Sequence, residues 1–126
     1  RLRLRRPERE RPLRQAALIV RYVLFVIDGP GNPASGNEIA AIDAFNDRLN
    51  AGGHLVLAAG IADPTRARLF DNRAGAGIER PGSLFTSPEH YSGFWIVDAD
   101  SVSQAEAFAR DGSAACNRKV ELRPFL

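Results

Sequence analysis

A single cysteine, Cys116, is all the thiol chemistry in these 126 residues. It excludes an internal disulfide and any multi-thiolate metal centre, and it suits a reducing, cytoplasmic setting. The only two histidines, His54 and His90, stand far apart with no His-x-x-x-His arrangement, so no metal is expected. No serine occupies a Gly-x-Ser-x-Gly frame, and Ser83, Ser87 and Ser92 read as turn residues. Gly75-Ala76-Gly77 lacks the glycine spacing and following helix of a phosphate loop. No apolar run approaches the roughly 18 residues that a membrane span needs. No motif calls for a cofactor, and none is expected.

Acidic residues are scarce at the start of the chain. Residues 1–14 hold seven of the seventeen basic groups and two of the fifteen acids, so the remainder carries ten basic against thirteen acidic groups, a net −3. The folded body therefore has no bulk reason to seek nucleic acid, and only the Arg-rich arm, residues 1–20, could bind a polyanion or an anionic lipid surface. That arm, followed by Ala16-Ala17-Leu18-Ile19-Val20, resembles a secretory signal, but Arg21 interrupts its apolar stretch. Cleavage near Ala34-Ser35-Gly36 would also remove the best strand in the chain, so the expectation is a cytoplasmic, non-membrane protein.

What is present is a regular alternation of elements. Residues 22–27, Tyr-Val-Leu-Phe-Val-Ile, are apolar on both faces and predict a strand covered on two sides. Asp28-Gly29-Pro30-Gly31-Asn32-Pro33 stops it. Ser35 and Glu38 have the spacing of a capping box, and Ile39, Ile42, Phe45 and Leu49 follow as one stripe predicted to be buried, until Gly52-Gly53 ends the helix. Residues 54–61 predict a second strand broken by Asp63-Pro64, and short strands near 66–70 and 76–79 flank a hairpin connection. The stretch 80–89, with Pro81, Gly82 and Pro88, predicts a long loop. A strand at 91–97 leads to a second capping box, Ser101 and Gln104. Val102, Ala105, Phe108 and Ala109 then form an inner stripe, Gly112 is the expected helix end, and residues 119–125 close the chain as a strand.

The order βαβ(ββ)αβ predicts an α+β, ferredoxin-like protomer over residues 21–126: two helices on one face of an antiparallel sheet. Strands apolar on both faces further predict a homodimer, with two sheets packed face to face as a dimeric α+β barrel.

These elements resemble the YCII-related family, in particular its DGPF-containing branch. The resemblance rests on Leu49-Asn50-Ala51-Gly52-Gly53, the Gly60-ended strand, Glu89-x-x-x-Gly93-Phe94, Val97-Asp98-Ala99-Asp100-Ser101 and Val120-Glu121-Leu122-Arg123-Pro124-Phe125. It implies a dimeric ferredoxin-like fold and a ligand cleft beside the sheet. It also implies two lines of function. One is a small-molecule-binding protein or cofactor-free enzyme using acid/base chemistry; the other is a non-catalytic accessory dimer of the kind associated with extracytoplasmic-function sigma factors. Where relatives carry Asp-Gly-Pro-Phe, this chain has Pro81-Gly82-Ser83-Leu84, and Ile42 or Asp43 stands near the position of a helix histidine found in some relatives. The acid after the second helix survives as Asp111.

Candidate chemistry is confined to a few polar residues. Glu121 and Arg123 alternate against Val120 and Leu122, so they share the sheet face opposite the helices, where a guanidinium could hold a carboxylate and Glu121 could act as a base. An ion pair within the interface is the structural alternative. His90, on the long loop beside Glu89 and Tyr91, is the candidate proton carrier. The expected catalytic set is thus His90, Glu121 and Arg123, with His54, Tyr91 and Asp111 as ligand-binding candidates. Both histidines could equally be surface residues.

Overall fold

A computed structural model of the chain describes residues 19–32 and 34–126; most of the Arg-rich arm lies outside these residues. The described chain runs β1 (Val20–Asp28), α1 (Glu38–Ala51), β2 (Leu55–Gly60), β3 (Arg68–Asp71), β4 (Ile78–Pro81), β5 (His90–Ala99), α2 (Val102–Cys116) and β6 (Lys119–Pro124). Four strands form one antiparallel sheet in the order β2-β5-β1-β6, while β3 and β4 pair separately as a hairpin. With both helices packed on this sheet, the architecture is the expected α+β ferredoxin-like one.

Strand alternation divides the side chains between the two faces. Leu24 stands opposite Trp95 on one side and Leu122 on the other, and these residues meet the helices together with Tyr22 and Val97. From above, α1 contributes Phe45 and Leu49, and α2 contributes Ala105 and Cys116. Val23, Phe25 and Ile27 take the opposite parity, beside Ile96 and Phe94, and form an apolar sheet face over which no helix packs among the described residues.

Several local expectations need correction. Gly112 does not end α2. The helix continues to Cys116, where Asn117 adopts the left-handed conformation (φ 54°, ψ 42°) and its N–H bonds back to Ser113. A Cβ on Gly112 would stand 3.2 Å from Trp95 Cζ3 and 3.3 Å from Phe45 Cε2, so this glycine serves close packing rather than termination. Ser35 is not the cap of α1 either. Asn37 is, without a side-chain bond, while Glu38 reaches back to accept from the Ser35 and Gly36 N–H groups at 2.7 and 2.9 Å. Those bonds hold the Glu38 carboxyl at about 2, well below its ordinary value. The second capping box forms as expected, with Ser101 Oγ accepting from the Gln104 N–H at 3.0 Å.

Two members of the helix stripes are not buried: Ile39 is 78% exposed and Val102 61%. Both lie in first turns. A 3.6-residue period identifies a helix face, but not how far along that face another element packs. The hairpin strands begin about two residues later than expected, at Arg68 and Ile78.

Candidate functional site

Two places on this scaffold gather polar side chains. The first is on the helix-free sheet face, where the alternation of β6 puts Glu121 and Arg123 beside Phe25 of β1 and Tyr91 of β5. The Tyr91 ring stacks on Phe25 with centroids 4.3 Å apart. Its hydroxyl donates to Glu121 Oε1 at 2.7 Å and accepts from Arg123 Nη2 at 3.1 Å. Arg123 also pairs with Glu121 Oε2 and lies over the Phe25 ring, 5.3 Å from its centroid. The triangle is closed on itself, since each charged group already holds the other.

That closure shifts two ionisations in opposite directions. The Arg123 guanidinium, and then the Tyr91 hydroxyl, hold the Glu121 carboxyl below its ordinary value. The same Glu121 bond, helped by burial, pushes the Tyr91 phenol up, against a smaller downward pull from Arg123. In Glu121→Gln the carboxylate that contributes most of the upward shift is gone and burial alone opposes the Arg123 pull, so Tyr91 is expected to ionise at lower pH. Ultraviolet absorbance of the phenolate measures this, and an unmoved titration would mean the hydrogen bond is not made in solution.

His90 does not join the triangle, although it adjoins Tyr91. A register irregularity near Ser92 and the alternation of β5 place it opposite Asp28, and its Nδ1 lies 3.3 Å from the Pro88 carbonyl. It lines a shallow cavity of about 460 Å³ together with Asp63 and Ser87. His54 is a structural link: Nδ1–H donates to the Asp98 carbonyl at 2.8 Å, and the ring leans on Phe108 at 5.0 Å. Asp111 is exposed on α2. Of the six residues singled out in the sequence, the fold thus unites Tyr91, Glu121 and Arg123 and leaves His54, His90 and Asp111 in three other places.

The second place is a cleft of about 540 Å³ on the helix side, bounded by the start of α1, the facing ends of β2 and β5, and the residues that end and follow α2. Ile39, Ile42 and Val26 supply apolar wall, and the floor includes Trp95, the only tryptophan in the chain. Gly93 lets the wall close: a Cβ there would lie 2.8 Å from the Ala59 carbonyl oxygen of the neighbouring strand. Asn46 accepts from Trp95 Nε1–H at 2.6 Å, which fixes the indole. Cys116 contributes a thiol that burial pushes up, and it is thus poorly suited as a nucleophile. Among the described residues, Arg118 is the one cationic residue in this lining. The family resemblance implies a cleft beside the sheet, but its lining is not legible residue by residue, because the walls come from five separate segments of the chain.

Fold and cleft now stand beside a wider comparison: residues 20–125 match the YCII-related domain. The chain belongs to the YCII-related family. Comparison with curated proteins yields no match. In this YCII-related domain Ile42 stands in the cleft wall and makes that stretch of it apolar. Among the described residues no cluster of three or more His, Cys, Asp or Glu is arranged for a metal ion, and no helix is long and apolar enough to cross a membrane.

Proposed function

We propose that this YCII-related protein binds a small metabolite in the cleft between α1 and the sheet. The cleft volume carries the reading: about 540 Å³ falls within the roughly 300–1,000 Å³ of ligand sites, and such sites combine apolar walls with a few polar groups. The cleft's polar groups are largely committed, with Glu38 bonded to backbone and Asn46 to Trp95. That commitment favours a binding or regulatory role over acid/base turnover. It supports the accessory-domain reading, as does Pro81-Gly82-Ser83-Leu84 standing where the resemblance implies Asp-Gly-Pro-Phe.

The sole tryptophan makes the proposal directly measurable. A panel of small amphipathic metabolites is expected to include ligands that change Trp95 emission saturably. Ile39→Glu, which places a charge in the wall at an exposed position, is expected to weaken them about tenfold or more without altering thermal stability. Emission that stays flat across the panel would overturn the cleft reading.

The protein is further proposed to act as a homodimer through the helix-free sheet face. Val23, Phe25, Ile27 and Phe94 give that face the apolar character that self-association would bury. Sedimentation at micromolar protein is expected to report twice the chain mass, and a single-chain mass would remove the proposal.

A further inference from the structure

Resting on the cleft reading above, the chemistry of its lining narrows the ligand. Among the described residues, two charged ones line the cleft, Glu38 and Arg118. Both Glu38 oxygens already accept backbone N–H groups, at 2.7 and 2.9 Å, so little of that carboxylate is left for a cationic ligand. Arg118 is in the opposite condition. Its side chain is only 16% exposed, Nε lies 2.9 Å from Asp28 Oδ1, and Nη1 donates to the Asn117 carbonyl at 2.9 Å. Nη2 has no hydrogen-bond partner among the described residues. A largely desolvated guanidinium with unspent donors beside an apolar cavity is a site for an anion, and its planar fork matches a carboxylate.

We infer that the cleft takes a small amphipathic monocarboxylate, its anionic head on Arg118 and its apolar body against Ile39, Ile42 and Val26. One guanidinium, with the Glu38 charge also in the lining, suits a single negative charge better than a phosphate dianion. The Asp28 carboxylate, itself partly exposed, occupies one side of the guanidinium and competes with the ligand for it.

Matched probes test the head group separately from the cleft. Octanoate, octanamide and octyl phosphate are titrated into the full chain with Trp95 emission and calorimetry as readouts. Wild type is expected to bind octanoate about tenfold or more tightly than octanamide, the scale of a charge-assisted hydrogen bond. Arg118→Gln is expected to lose that preference while still binding octanamide. Asp28→Asn, which frees the guanidinium, is expected to tighten octanoate and leave octanamide unchanged; it decides the matter should Arg118→Gln fail to fold by circular dichroism. Equal binding of octanoate and octanamide in wild type overturns the carboxylate assignment while the cleft reading survives. Tighter octyl phosphate, or weaker octanoate in Asp28→Asn, also overturns it. Absence of binding by all three probes overturns both readings.

Discussion

Phe45→Ala is expected to cost about 4 kcal/mol of stability, within the 3–5 kcal/mol range for removing a buried aromatic ring. Phe45 is 2% exposed and meets Trp95 edge-on, with centroids 5.1 Å apart and planes at 87°. Gly112 of α2 lies against both rings, so the three residues join the two helices to the centre of the sheet. Relaxation into the space left by the ring is restricted on both sides. Trp95 is held by its bond to Asn46, and the helix backbone at Gly112 has no side chain with which to follow. The cavity therefore persists and adds to the lost transfer energy. For a chain of this size the melting temperature should fall by about 15 °C, at about 4 °C per kcal/mol. A fall below about 5 °C in calorimetry would mean that the helices do not meet the sheet through this ring.

Asp98→Ala is the second large effect, and its cause is electrostatic. Asp98 is 4% exposed on β5, directly across from Arg21 on β1, and it accepts from Arg21 Nε at 2.8 Å and Nη2 at 3.1 Å. Removing the carboxylate leaves a guanidinium with only 26% of its side chain exposed and its bidentate partner gone. Breaking such a pair costs about 3–5 kcal/mol when both ends are fully buried; partial exposure of Arg21 places the expected loss near about 3 kcal/mol. The backbone links of Asp98 to His54 remain, so the start of β2 should stay in place. Urea unfolding should show a lower midpoint with an unchanged slope. Arg21→Met combined with Asp98→Leu should recover most of the loss, because an apolar pair of similar volume leaves no stranded charge. A single Asp98→Ala within about 0.5 kcal/mol of wild type would place the pair among surface ion pairs instead.

Much of the fold was legible because burial leaves a periodic trace. The two-sided apolar run of β1, the Ser101–Gln104 cap and the alternation of Glu121 and Arg123 against Val120 and Leu122 each depend on residues a few positions apart, and each appears in the structure. The readings that failed depended on distant neighbours. Gly112 carries the composition of a helix end, yet what demands a glycine there is the approach of Trp95 and Phe45. Ile39 continues an apolar stripe, yet it remains largely exposed. His90 and Tyr91 are adjacent in sequence, yet strand parity and a register irregularity send them to different surroundings.

By itself, then, the sequence determined the element order, the side of each strand and the family, since those follow from spacing within single elements. Tertiary structure alone decided which polar groups meet. Tyr91 reaches Glu121 and Arg123 because β5 and β6 both flank β1 in register. Arg118 reaches the cleft because α2 runs past Gly112 to Cys116 before the chain turns. A hydrogen bond or a cavity wall is a short-range relation in space between residues remote in the chain, and only packing brings such residues within range.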